Sequence, residues 1–167
     1  MFVHPTMVTK VSSFIVFAIL FITRAYSQCS WTVGGQTLDL SCVSGQTINS
    51  KDDTGHVFLY TVCSDGAGAC DGGNQLMCKQ TLPSDTSLCY EIGRWNAQES
   101  PTYDADTKTF EFQYNNGDVC QQQVRNFVPQ FICDESINGL SAGDVYEPGF
   151  GGCSYYLPIR TKYACAG

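Results

Sequence analysis

Apolar and polar side chains alternate along much of this chain at a spacing of two, and the three-and-four spacing of an amphipathic helix is missing. Across residues 108–114, Phe110, Phe112 and Tyr114 fall on one side and Thr109, Glu111 and Gln113 on the other, as in a half-buried strand. A polar turn at 103–107 precedes it. Asn115-Asn116-Gly117-Asp118 follows, where the Asn-Gly step reaches positive φ at little cost. Residues 123–132 alternate as well, with Val124, Val128 and Ile132 on one face and Arg125, Phe127 and Phe131 on the other. Further strands are expected at 56–63, 76–80, 88–92 and 154–163, parted by turn clusters at 50–55, 64–68, 71–74 and 139–152. The set predicts an all-β fold, a flattened β-barrel or two-sheet sandwich. No repeat or linker divides it, so a single domain is expected.

The N-terminus changes the compartment. Lys10, an apolar run over 11–23 and the small-x-small motif Ala25-Tyr26-Ser27 read as a secretory signal over 1–27, leaving a mature domain at 28–167. The run is short for a bilayer span and no second one follows, so export without membrane insertion is expected. All ten cysteines lie after it: Cys29, Cys42, Cys63, Cys70, Cys78, Cys89, Cys120, Cys133, Cys153 and Cys165. An even count in a secreted chain reads as five disulfides that staple a modest core. Zinc would need tighter ligand clusters than Cys63, Cys70 and Cys78 with His56. Without Lys10 and Arg24, seven basic residues face sixteen acidic ones, a net charge of −9, which argues against nucleic acid as a partner.

Little points to catalysis. His56 is the single histidine after the signal, beside the Asp52-Asp53-Thr54-Gly55 turn, and reads as a polar residue at a strand start. Asp104 and Asp106 lack the glycine of a calcium loop, and no motif selects a carboxylate pair from Glu91, Glu99 and Glu111. No enzyme, metal or cofactor is expected. Arg125 stands out instead. It shares a face with Phe127 and Phe131 and cannot lose its proton, so it must meet a carboxylate, carbonyls, water or an acceptor-rich ligand.

The order Cys29-Ser30-Trp31, Asp39-Leu40-Ser41, Cys70 and Cys78, Gly93-Arg94-Trp95-Asn96, then Cys120, Cys133, Cys153 and Cys165 resembles the mannose 6-phosphate receptor homology (MRH) domain, a lectin-type β module. The resemblance implies bridges Cys120–Cys153, Cys133–Cys165 and Cys70–Cys78, leaving Cys29–Cys63 and Cys42–Cys89 for the remainder. It also implies sugar-binding roles for Gln80 (with Gln75 as a rival), Arg125 and Tyr163. Where the family's glutamate is expected, this chain has Pro158, with Glu91 or Glu147 as substitutes from other strands. The expectation is a secreted, non-enzymatic interaction module of lectin-like fold whose sugar site has decayed. The alternative is a lectin for mannose-type glycans using Gln80, Arg125 and Tyr163. The partners expected are glycoprotein glycans or a secreted or cell-surface protein.

Overall fold

The computed structural model describes residues 29–64, 70, 78–82, 85, 88–94, 98–149 and 152–165. The expected signal at 1–27 lies outside them. The described chain is all-β, with thirteen strands and only 3-10 turns besides. β1 (Ser30–Val33) and β2 (Gln36–Asp39) form a hairpin whose two-residue loop, Gly34-Gly35, needs positive φ at both positions, 59° and 80°. β3 (Thr47–Lys51), β4 (Val57–Thr61), β5 (Cys78–Thr81) and β6 (Cys89–Gly93) then form a four-stranded antiparallel sheet in chain order.

A second, five-stranded sheet takes β7 (Thr102–Asp104), β8 (Thr109–Glu111), β11 (Asn126–Cys133), β12 (Ser141–Ala142) and β13 (Ser154–Thr161) in the order β12-β13-β11-β8-β7. Its centre is parallel: β11 and β13 pair from Asn126↔Ser154 to Cys133↔Thr161. β9 (Val119–Cys120) and β10 (Gln123–Val124) make a small hairpin ahead of β11. The two main sheets face each other as a sandwich and do not close into a barrel. Aromatic rings join them, Tyr60 with Phe127 at 5.0 Å and Phe58 with Tyr155 at 5.5 Å between centroids. Leu157, Ile159, Phe110, Phe112 and Phe131 fill the space between them.

The apolar side expected for 108–114 is buried at Phe110, Phe112 and Tyr114, and in 123–132 the Phe127 and Phe131 side is the inward one. Strand 108–114 is shorter than expected, because Tyr114 makes only isolated bridges to Gln98 and Phe127. Strand 123–132 is cut in two at Arg125, and 154–163 ends in a 3-10 turn over Lys162–Ala164.

Three expected bridges are present: Cys29–Cys63, Cys120–Cys153 and Cys133–Cys165. The Cys70–Cys78 and Cys42–Cys89 assignments are corrected by Cys70–Cys89, with Cα atoms 5.6 Å apart. The reason is register. Cys78 sits opposite Gly93 at one end of the β5–β6 ladder and Cys89 opposite Thr81 at the other, so the chain at Cys70 reaches Cys89. Cys42, in the exposed turn after β2, is a free thiol, which corrects the five-bridge expectation. Cys42 is therefore expected to take up maleimide in the native protein without reductant. Peptide mapping that finds no label there would reject this pairing.

Among the described residues no helix is long and apolar enough to cross a membrane, and no group of three or more His, Cys, Asp or Glu side chains is placed to hold a metal.

Candidate functional site

Arg125 stands between β10 and β11 and turns toward the seam of the two sheets. Its Nε donates to the Tyr155 hydroxyl at 3.2 Å and its Nη1 to the Val119 carbonyl at 2.9 Å. The guanidinium carbon lies 4.4 Å from the centroid of the Tyr90 ring on β6. All three partners are neutral. Among the described residues no carboxylate lies within ion-pair distance of this arginine; the pairs formed are His56–Asp52, Arg94–Glu91 and Arg160–Asp134.

Gln80 on β5 lies opposite Phe58 on β4 and Tyr90 on β6, so its side chain leaves the same face of the sheet as theirs. Phe58 packs on Tyr155, and Tyr90 carries Arg125. Gln80 is thus set toward the Arg125–Tyr155 pair. It is 5 % exposed, and its side-chain oxygen has no hydrogen-bond partner among the described residues. A buried, unpaired amide oxygen costs about 1–3 kcal/mol, so something outside the described chain is expected to satisfy it.

Glu147 closes the cluster from the segment before β13. Desolvation first, then the neighbouring Asp52 charge, raise its carboxyl above the ordinary glutamate value, while Arg125 and His56 pull the other way. Desolvation likewise raises Tyr155, against the opposing hydrogen bond from Arg125, so the phenol keeps its proton and can donate it. Arg125 and the Tyr155 hydroxyl meet directly, Glu147 lines a pocket with Tyr155, and Gln80 lies across the ladder from Tyr90, on which Arg125 rests.

The local chain is built around this approach. Gly117 N donates to the Arg125 carbonyl at 3.0 Å, and Arg125 N to the Asp118 carbonyl at 2.9 Å. A Cβ at Gly117 would stand 2.6 Å from the Glu91 carbonyl oxygen and 2.8 Å from Arg125 Cβ. Gly117→Ala is expected to cost about 1–3 kcal/mol and to displace Arg125. Denaturant unfolding together with ligand titration checks both effects; an unchanged midpoint with normal binding would show that the contact is slack.

Solved structures match this architecture. Domain 11 of chicken IGF2R superposes with a TM-score of 0.61 at 19% identity, over 85% of this chain and 93% of that one. The solution ensemble of domain 11 of the echidna IGF2R receptor gives 0.57 at 20% identity, over 81% and 93%. The chain has the fold of an MRH domain. The MRH domain of Yos9 complexed with alpha3,alpha6-Man5 matches more distantly, with a TM-score of 0.48 at 17% identity over 72% of this chain and 76% of that one. No family model and no curated protein sequence matches, so the likeness is one of shape.

Within this MRH fold the expected site residues separate. Gln80 and Arg125 are linked through Tyr90, which pairs with Gln80 across the ladder and lies under the guanidinium. Tyr163 does not join them: it follows the end of β13, which is level with Cys133, whereas Arg125 precedes the start of β11, level with Ser154. Seven residue steps of strand, about 20 Å or more, lie between. Pro158 faces outward opposite Gln130, and a Cβ at Gly143 would meet its ring at 3.0 Å, so it packs beneath the β12 segment. A glutamate at 158 would point away from Arg125. Gln75 lies outside the described residues. Glu91 is held by Arg94. Glu147 lines a pocket with Tyr155, and the Arg125 charge favours its ionised form.

Tyr155, Tyr90 and Glu147 are the residues that complete the arrangement. Tyr155 carried one legible signal: it shares its parity with Leu157 and Ile159, the inward side of β13.

Proposed function

We propose that the protein is a secreted, non-enzymatic glycan-binding module whose site comprises Gln80, Arg125, Glu147 and Tyr155. The observation that carries this reading is a buried glutamine oxygen with no partner among the described residues, beside an arginine fork that meets only neutral ones. A sugar's adjacent hydroxyls each donate and accept, which matches donors and acceptors set about an aromatic ring. The lectin-type fold supports the ligand class, and mannose-type glycans follow from the family resemblance. Secretion rests on the signal pattern at 1–27 and on the four disulfides among the described residues, since such bonds persist in oxidising compartments.

A glycan array on the secreted protein, with free mannose as competitor, tests this directly. Mannose-terminated glycans are expected to bind and to elute with mannose. No retention of any glycan, with no response at millimolar mannose, would sink the reading.

Binding is also expected to depend on pH through Glu147, which must be ionised to accept hydroxyls. Its raised value places the loss of binding at a higher pH than ordinary glutamate protonation would. Folding is also lost on acidification, but through carboxyls shifted the other way. Asp39, Asp52, Asp104 and Asp134 are all held below their ordinary value by turn hydrogen bonds, which in Asp52 outweigh the opposing and individually largest influence of desolvation. Stability from depressed carboxyls is present above about pH 3.9 and is lost as pH falls through the lower folded values. Titration by calorimetry and circular dichroism should therefore show binding lost while the fold is intact. Simultaneous loss would overturn the role of Glu147.

A protein partner is the second reading, favoured by the β9–β10 hairpin, where Val119 and Val124 face each other across the ladder, 72% and 50% exposed.

A further inference from the structure

Beside the Arg125 cluster lies a pocket of about 370 Å³, lined by Thr54, His56, Tyr146, Glu147 and Tyr155 among others. That volume is within the range of small-ligand sites. Tyr155 and Glu147 belong to both: the Tyr155 hydroxyl meets Arg125, and the same residue forms a wall of the pocket. Through Tyr155 the pocket adjoins the Arg125 cluster. We infer that this pocket is a second subsite, which takes the next ring of a neutral oligosaccharide whose first ring sits on Arg125. The inference rests on the glycan-binding reading above.

Both walls are pinned. Val145 N donates to the Lys51 carbonyl at 2.8 Å, and Tyr146 and Tyr156 exchange backbone bonds at 3.0 and 2.9 Å. On the facing side, Asp52 Oδ1 accepts from the backbone of Thr54 and of His56, at 3.0 and 2.8 Å. The Thr54 hydroxyl donates to the same oxygen at 2.7 Å, which uses its one proton. His56 Nδ1 lies 2.6 Å from that hydroxyl and 2.7 Å from Asp52 Oδ2, neither of which has a proton left to give it. Nδ1 must therefore carry a proton and donate, which turns Nε2 to the opposite edge of the ring. A pinned imidazole edge, a carboxylate and the exposed Tyr146 ring suit a sugar ring, with its hydroxyls and apolar face.

Charge narrows the class. Asp52, Asp53 and Glu147 all line the pocket, and among the described residues no lysine or arginine does. A phosphorylated, sulfated or uronic ring would meet three carboxylates at close range, so the second ring is uncharged.

Titration calorimetry with methyl α-mannoside and with the α1,2-, α1,3- and α1,6-linked mannobioses tests this. At least one disaccharide is expected to bind about 10-fold more tightly than the monosaccharide. His56→Ala and Tyr146→Ala are each expected to remove most of that gain while leaving monosaccharide binding and the melting temperature nearly unchanged. Equal affinity for the monosaccharide and every disaccharide in the wild type would overturn the second subsite and leave the Arg125 site standing. A gain that survives both substitutions would also overturn it. Failure to bind any of these sugars would refute the glycan reading and this inference together.

Discussion

Arg125→Ala is expected to abolish detectable binding of mannose-type glycans while leaving the fold nearly intact. The guanidinium can offer several charge-assisted donors to ligand hydroxyls, and hydrogen bonds of that kind contribute about 1.5–3 kcal/mol, roughly a 10- to 150-fold change in affinity. Stability should change far less. Truncation strands the Tyr155 hydroxyl and the Val119 carbonyl and forfeits the stack on Tyr90, but among the described residues it leaves no carboxylate without its counter-charge. The cost should be about 1–2 kcal/mol, against the 3–5 kcal/mol of breaking a buried ion pair. Arg125→Lys keeps the charge and loses the planar fork, and is expected to bind nearly as poorly. Calorimetry and thermal unfolding on the same preparations decide the matter: a large fall in stability for Arg125→Ala would assign the residue to the scaffold.

Arg125 was legible in the sequence because parity alone put a permanent cation on the face of Phe127 and Phe131. Its partner was not. Tyr155 reaches it because β11 and β13 run parallel with Phe127 level with Tyr155, and a parallel register is set by a long crossover, not by a hairpin turn. The resemblance points instead to Pro158, although parity within the strand sets 158 on the side opposite Tyr155, Leu157 and Ile159. The proposed sugar site therefore calls for no glutamate at 158. The family resemblance points to Gln80, but its decisive property, an unsatisfied buried oxygen, exists only once Phe58 and Tyr90 flank it. The cysteines divide the same way. The interleaved pairs after Cys120 could be assigned by resemblance, whereas Cys70 and Cys89 meet only when the ladder between β5 and β6 is formed.

The same parallel pair yields a prediction with two arms. Cys120–Cys153 and Cys133–Cys165 close loops with sequence separations of 33 and 32, and lie at opposite ends of β11 and β13. On chain-entropy grounds each should contribute about 4 kcal/mol, so replacing both cysteines of either pair by serine should destabilise the protein to a similar extent. Binding should not follow suit. Cys120 lies in the hairpin that presents the Val119 carbonyl to Arg125, and Cys153 precedes Tyr155 by two residues, so the first bridge fixes both elements that orient the guanidinium. The second closes the far end, beside Tyr163. Corrected for the folded fraction, glycan affinity is expected to fall at least about 10-fold for Cys120→Ser/Cys153→Ser, about 1.4 kcal/mol of lost orientation, and to stay near wild type for Cys133→Ser/Cys165→Ser. Equal losses of affinity in the two variants would mean that the site answers to overall stability, and would remove the hairpin from its construction.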